Sequence, residues 1–63
     1  MTYFYIEERF EGMPMLIDKP YLSERDAIQT AMRTSRGEYR VLSFPSRDRI
    51  KVRQWWKQSI YNR

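Results

Sequence analysis

The sequence contains no cysteine and no histidine. Without cysteine there is no disulfide. Without either residue, the usual ligands of a zinc site are missing. The commonest general base and the strongest thiol nucleophile are missing too. Glycine is also scarce, with only Gly12 and Gly37, and these stand far apart. A glycine-rich phosphate loop is therefore excluded. No apolar run approaches the roughly 20 residues that span a bilayer. The opening Met1-Thr2-Tyr3-Phe4-Tyr5-Ile6-Glu7-Glu8 has neither the basic start nor the long apolar stretch of a secretory signal. These absences point to a cytoplasmic protein with no membrane segment, no metal and no cofactor. They also point away from catalysis. Glu7 and Glu8 are neighbours in an extended segment, so they face opposite ways and cannot form a carboxylate pair.

What remains is one small domain of 63 residues, 16% of them aromatic. A chain of this size buries only about 60% of its unfolded surface, so its stability margin is thin. A partner chain is one remedy, and a homodimer is among the expectations. The net charge of +4 hides a split. Residues 1–26 hold six acids and three bases, a net of −3; residues 27–63 hold nine bases and two acids, a net of +7. An asymmetry of this kind suggests an anionic partner for the basic half. The alternative is that the two halves fold together and their charges interleave.

Tyr3 to Phe10 is rich in aromatic residues and alternates loosely, which predicts a strand. Glu11-Gly12 supplies a turn. Met13 to Asp18 predicts a second strand, placed at a sheet edge by Pro14, which cannot donate to a ladder. Ser23 then reads as the N-cap of a helix over residues 24–35, with Asp26 at the third position. Ala27, Ile28, Ala31 and Met32 form its apolar stripe. Gly37 suits the position just past its end, after Arg33 and Arg36. Glu38 to Phe44 predicts a third strand, stopped by Pro45-Ser46. Ser46 can cap a second helix, with Asp48 in its first turn. Val52, Trp56 and Ile60 recur at helical spacing. The rival reading makes Arg49 to Trp55 a fourth strand returning along Tyr39–Phe44. The spacing favours the helix.

The expected fold is α+β, a β-β-α-β-α domain with a three-stranded sheet in order 2-1-3. One helix packs on the sheet and a basic helix ends the chain. Residues 1–46 form the ββαβ core and residues 47–63 the basic, tryptophan-containing C-terminal helix. Helix 1 crosses from strand 2 to a third strand parallel to it, with strand 1 between them. Phe4, Ile6, Leu42 and Phe44 are expected beneath helix 1, and Tyr3, Tyr5, Tyr39 and Val41 on the opposite face. Tyr3, Tyr5 and Tyr39 could then form a base-stacking platform, unless helix 2 covers them or they serve as ordinary cross-strand pairs.

The segment from Arg47 to the C-terminus carries the functional expectation. It holds Arg47, Arg49, Lys51, Arg53, Lys57 and Arg63 against Asp48 alone, with Trp55, Trp56 and Tyr61 interleaved. Bases gain free energy by releasing counterions from a phosphate backbone, and rings stack on bases. The expectation is a small non-enzymatic regulator that binds nucleic acid, DNA or RNA, through Arg33, Arg36, Arg40, Arg47, Arg49, Lys51, Arg53 and Lys57. Trp55, Trp56 and Tyr61 would complete the interface. In the structural alternative, Val52, Trp56 and Ile60 pack on the sheet with the bases solvated around them. Adjacent tryptophans lie about 100° apart on a helix, so one of the two should stay partly exposed. The second functional reading is a protein-binding regulator or inhibitor docking on an acidic protein surface, through Trp55, Arg53 and the acidic N-terminal half. A nucleic-acid enzyme of a host would be one such target. A chain this short and basic suits an accessory protein of a bacteriophage or mobile element.

Overall fold

A computed structural model describes residues 1–62. The element order is β1 (Tyr3–Phe10), β2 (Met13–Leu16), α1 (Glu24–Thr34), β3 (Glu38–Phe44) and α2 (Arg49–Tyr61). This is the α+β order expected from the sequence, and the sheet order is β2-β1-β3. β1 runs antiparallel to both neighbours, so β2 and β3 run parallel on either side of it. Residues 49–61 form a helix, and no fourth strand returns along β3 among the described residues.

The β1–β2 turn explains the hairpin. Glu11 has φ 53° and Gly12 φ 82°. Two consecutive positive φ values define the two-residue turn whose twist matches that of paired strands. Beyond β2 the chain stays along the same edge of β1. Ile17 donates to the Ile6 carbonyl at 3.0 Å, and Phe4 and Tyr21 exchange backbone bonds of 2.8 Å.

Helix α1 starts as its sequence dictates. The Ser23 hydroxyl accepts from the Asp26 amide at 3.1 Å, and Glu24 and Asp26 lie at the positive end of the helix dipole. Its inner face is narrower than the stripe in the sequence. Ala27 and Ala31 are fully buried and Ile28 is half-buried, but Met32 points to solvent. The helix ends at Ser35, whose amide bonds to the Ala31 carbonyl, so Gly37 is not its cap. Gly37 serves a different need. A Cβ there would stand 2.7 Å from the Arg9 carbonyl oxygen, so only glycine lets β3 enter beside β1 at this point.

Both faces of the sheet are covered, which is why Tyr5, Ile6 and Glu7 are buried in succession. On one face Ile6 packs with Ala27 and Ala31, flanked by Phe4, Tyr39 and Val41. On the other, Tyr5, Leu16 and Val52 pack together, flanked by Tyr3, Phe44 and Trp56. The expected faces of β3 are thus exchanged. Leu42 and Phe44 pair with Tyr5 and Tyr3 and lie under α2, while Tyr39 and Val41 pair with Glu8 and Ile6 and lie under α1. A shift of one residue in register swaps every side chain across a sheet. Each face of β3 carries two large apolar residues, so hydrophobicity does not choose between them. The tyrosine platform accordingly does not form: α2 covers Tyr3 and Tyr5, and Tyr39 is on the far side.

Candidate nucleic-acid interface

Helix α2 begins where Pro45 and Ser46 end β3. The Ser46 hydroxyl accepts from the Asp48 amide at 3.0 Å. Asp48, not Ser46, is the N-cap. Its carboxylate accepts from the amides of Ile50 at 2.9 Å and Lys51 at 3.3 Å. A carboxylate satisfies these donors better than a hydroxyl because it also meets the positive end of the dipole.

The inner face of α2 is anchored by Val52, which is 1% exposed, with Trp56, Ser59 and Ile60 half-buried beside it. The two tryptophans have separate partners. Trp55 stacks on Phe44, with ring centroids 6.0 Å apart and an interplanar angle of 24°, and stays 37% exposed. The Trp56 indole N–H donates to Glu7 Oε1 at 2.8 Å. Glu7 is 4% exposed, and its Oε2 also accepts from Arg40 Nε at 2.7 Å. Tyr5 lies in the same layer and donates its hydroxyl to the Ser46 carbonyl at 2.9 Å, tying β1 to the start of α2. Burial is the first cause that raises the Tyr5 phenol above its ordinary value of 10.0; nearby Tyr3, Asp18 and Asp48 add to it, and Arg47 opposes them.

The flank of α2 is fixed by Asp18, from the segment after β2. Arg53 holds it by a hydrogen bond from Nε to Oδ1 at 3.3 Å and an ion-pair contact of Nη2 with Oδ2 at 2.9 Å. Arg49 adds a contact at 3.4 Å. The three side chains are 58%, 74% and 19% exposed for Arg53, Arg49 and Asp18, so each surface contact contributes under about 1 kcal/mol. Their effect is chiefly to orient the helix. These pairs, with Glu7–Arg40, show that the acidic and basic halves interleave in part.

The remaining bases are distributed unevenly. Arg47, Lys51 and Lys57 are exposed and have no ion-pair partner among the described residues. Gln54 and Tyr61 lie on the side of α2 turned away from Val52, Lys51 and Gln58 sit on one shoulder of that side, and Lys57 sits on the other, where it lines a groove with Pro14, Met15, Leu16, Arg53 and Trp56. Ile50, 71% exposed, and Tyr61, 89% exposed, add apolar surface. Arg33 and Arg36 do not join this group. Arg33 is on α1, which covers the opposite face, and Arg36 lines a groove on that side with Glu8, Phe10, Met15 and Ile17. Arg40 is on the α2 face but turned to Glu7. Arg63 lies outside the described residues. Gln54 and Gln58 carry no charge or ring to mark them in the sequence, but their spacing of four residues opposite the Val52–Trp56 line places them on the outer side.

The local charge follows. Arg47, Arg49, Lys51, Arg53 and Lys57 give five positive charges; Asp48 and Asp18 give two negative charges; the sum is +3. Helix α2 itself contains no acid over its 13 residues. No helix among the described residues is long and apolar enough to cross a membrane. In comparisons with known proteins, no family model, no curated protein and no solved structure matches this chain.

Proposed function

We propose that the protein is a non-enzymatic regulator that binds nucleic acid through the outer side of α2. The observation that carries this reading is the acid-free helix α2 with Lys51 and Lys57 exposed on it and Arg47 exposed just before its Asp48 cap, none of the three in an ion pair among the described residues. Each such cation can replace a condensed counterion on a phosphate backbone. Gln54 and Gln58 offer amides that both donate and accept, the chemistry that reads adenine edges. Tyr61 offers a ring for stacking on an unpaired base. A helix about 20 Å long and about 10–12 Å wide matches the roughly 12 Å major groove of a duplex. The protein would act in the cytoplasm, in keeping with an accessory protein of a bacteriophage or mobile element.

The second reading, a regulator that docks on an acidic protein surface, loses part of its support at α2. Its two tools there, Trp55 and Arg53, are engaged with Phe44 and Asp18. Phe10, Met13 and Met15, which share one side of the hairpin and are 51%, 72% and 64% exposed, favour an apolar protein contact there rather than an acidic one.

Fluorescence anisotropy with labelled single- and double-stranded oligonucleotides, at about 50 and 200 mM salt, separates the readings. The expected result is binding that falls log-linearly with salt. Replacing Arg47, Lys51 and Lys57 by Gln should flatten the slope by about 0.9 for each lost phosphate contact on a duplex. No binding at the lower salt, or an unchanged slope in the triple variant, would overturn the proposal.

A further inference from the structure

The two edges of the sheet are built differently. Phe4 and Ile6 direct their backbone groups toward the β2 side, where they bond to Tyr21 and Ile17. By antiparallel alternation, Tyr3, Tyr5, Glu7 and Arg9 direct theirs toward β3. The outward-facing groups of β2 therefore belong to Pro14 and Leu16, and those of β3 to Tyr39, Val41 and Ser43.

The β2 edge is closed to further pairing. It is four residues long, and Pro14 has no N–H at the point where an added strand would need one. The β3 edge carries no such device. It has seven residues with no proline or glycine. Its one mid-strand charge, Arg40, is turned inward to Glu7. Among the described residues, Tyr39, Val41 and Ser43 make no backbone hydrogen bond on that outer side. Val41 and Leu42 are only half-buried in mid-strand, although their β1 partners Ile6 and Tyr5 are 1% and 2% exposed. Trp55, stacked on Phe44 of the same strand, adds exposed aromatic surface.

We infer that β3 is the seam of a homodimer, in which two copies of the strand pair antiparallel about Val41. Val41 then faces Val41 of the second copy, and Tyr39 faces Ser43 of the second copy on either side. All three outward residues of each strand exchange both backbone bonds in this register. The large ring of Tyr39 meets the small Ser43, so the strand is complementary to itself. A two-fold interface closes. With one open edge and one blocked edge, association stops at two chains and a six-stranded sheet results. The second copy covers apolar surface that a 63-residue domain cannot cover alone. The two-fold axis runs perpendicular to the sheet, which places both α2 helices on one face. The dimer stands whatever that face binds.

Sedimentation equilibrium of the full chain without nucleic acid, from about 10 µM to 1 mM, tests this directly. The expected mass rises with concentration to twice the 7.8 kDa of one chain. Ser43→Pro removes an amide whose only use is the seam, and should hold the mass at 7.8 kDa with an unchanged circular dichroism spectrum. Hydrogen exchange on the unmodified protein serves as the second readout. The amides of Tyr39, Val41 and Ser43 should slow as concentration rises. A single-chain mass throughout, a dimer that persists in folded Ser43→Pro, or no concentration-dependent protection of these amides would each overturn the inference.

Discussion

Replacing Glu7 by glutamine tests the account of how α2 is held. Glu7 is 4% exposed and its two oxygens accept from Arg40 at 2.7 Å and Trp56 at 2.8 Å. Hydrogen bonds to a charged group contribute about 1.5–3 kcal/mol each. Glutamine keeps the shape but offers one acceptor oxygen and one donor group. It can satisfy one partner and must confront the other with an N–H. Arg40 is the partner that can yield, because its side chain is 52% exposed and can turn to water. Solvent screening then lowers the cost to about 1–2 kcal/mol. For a chain of this size 1 kcal/mol shifts Tm by about 4–8 °C, so Tm should fall by about 4–16 °C. Thermal and urea unfolding measure the loss. A double-mutant cycle with Arg40→Gln should show coupling of about 1 kcal/mol. The Trp56 indole N–H resonance should stay near its original position, because glutamine keeps that bond. A Glu7→Gln protein within about 0.5 kcal/mol of the original, or a cycle without coupling, would refute the reasoning.

Two further perturbations probe the same frame. Tyr5 has its phenol raised above 10.0 by burial, so the folded state holds that proton more tightly than the unfolded chain. The stabilising contribution is complete below about pH 10 and is lost as pH rises through the raised value. Tyr5→Phe should cost about 1 kcal/mol at neutral pH through the lost bond to Ser46, and should flatten the alkaline limb of a stability–pH curve. An unchanged alkaline limb would contradict this. Gly37→Ala should destabilise by about 1–3 kcal/mol, because the new Cβ would stand 2.7 Å from the Arg9 carbonyl oxygen. A neutral result in urea unfolding would show that β3 can move away from β1 at little cost.

Much of the architecture was legible because its causes are local. The aromatic alternation of Tyr3–Phe10, the Glu11-Gly12 turn, the Ser23 cap and the 52, 56, 60 spacing each act within a few residues. Pro14 placed β2 at an edge by chemistry alone, since a missing N–H cannot sit inside a ladder. The α2 cap stands two residues beyond Ser46, at Asp48, because both can cap and a carboxylate suits the dipole better.

The basic segment was legible as composition, but its division into paired and unpaired charges was not. Arg49 and Arg53 meet Asp18 across 31 and 35 residues, and Arg40 meets Glu7 across 33. Such contacts depend on which elements come to lie side by side, and no local pattern encodes them. The same holds for the separation of Arg33 and Arg36 from α2 by the thickness of the sheet. The faces of β3 show the limit most clearly. Each side carries an apolar pair, Leu42 and Phe44 on one and Tyr39 and Val41 on the other, because helices cover both sides, so the alternation that reveals a half-buried strand carries no direction here. The amino-acid sequence by itself determined the elements, their order and the charge of the last helix, because propensity, capping and charge belong to single residues and their near neighbours. The tertiary structure decided the register of β3, the burial of Glu7 and the bases left free, because each depends on the packing of segments distant in the chain.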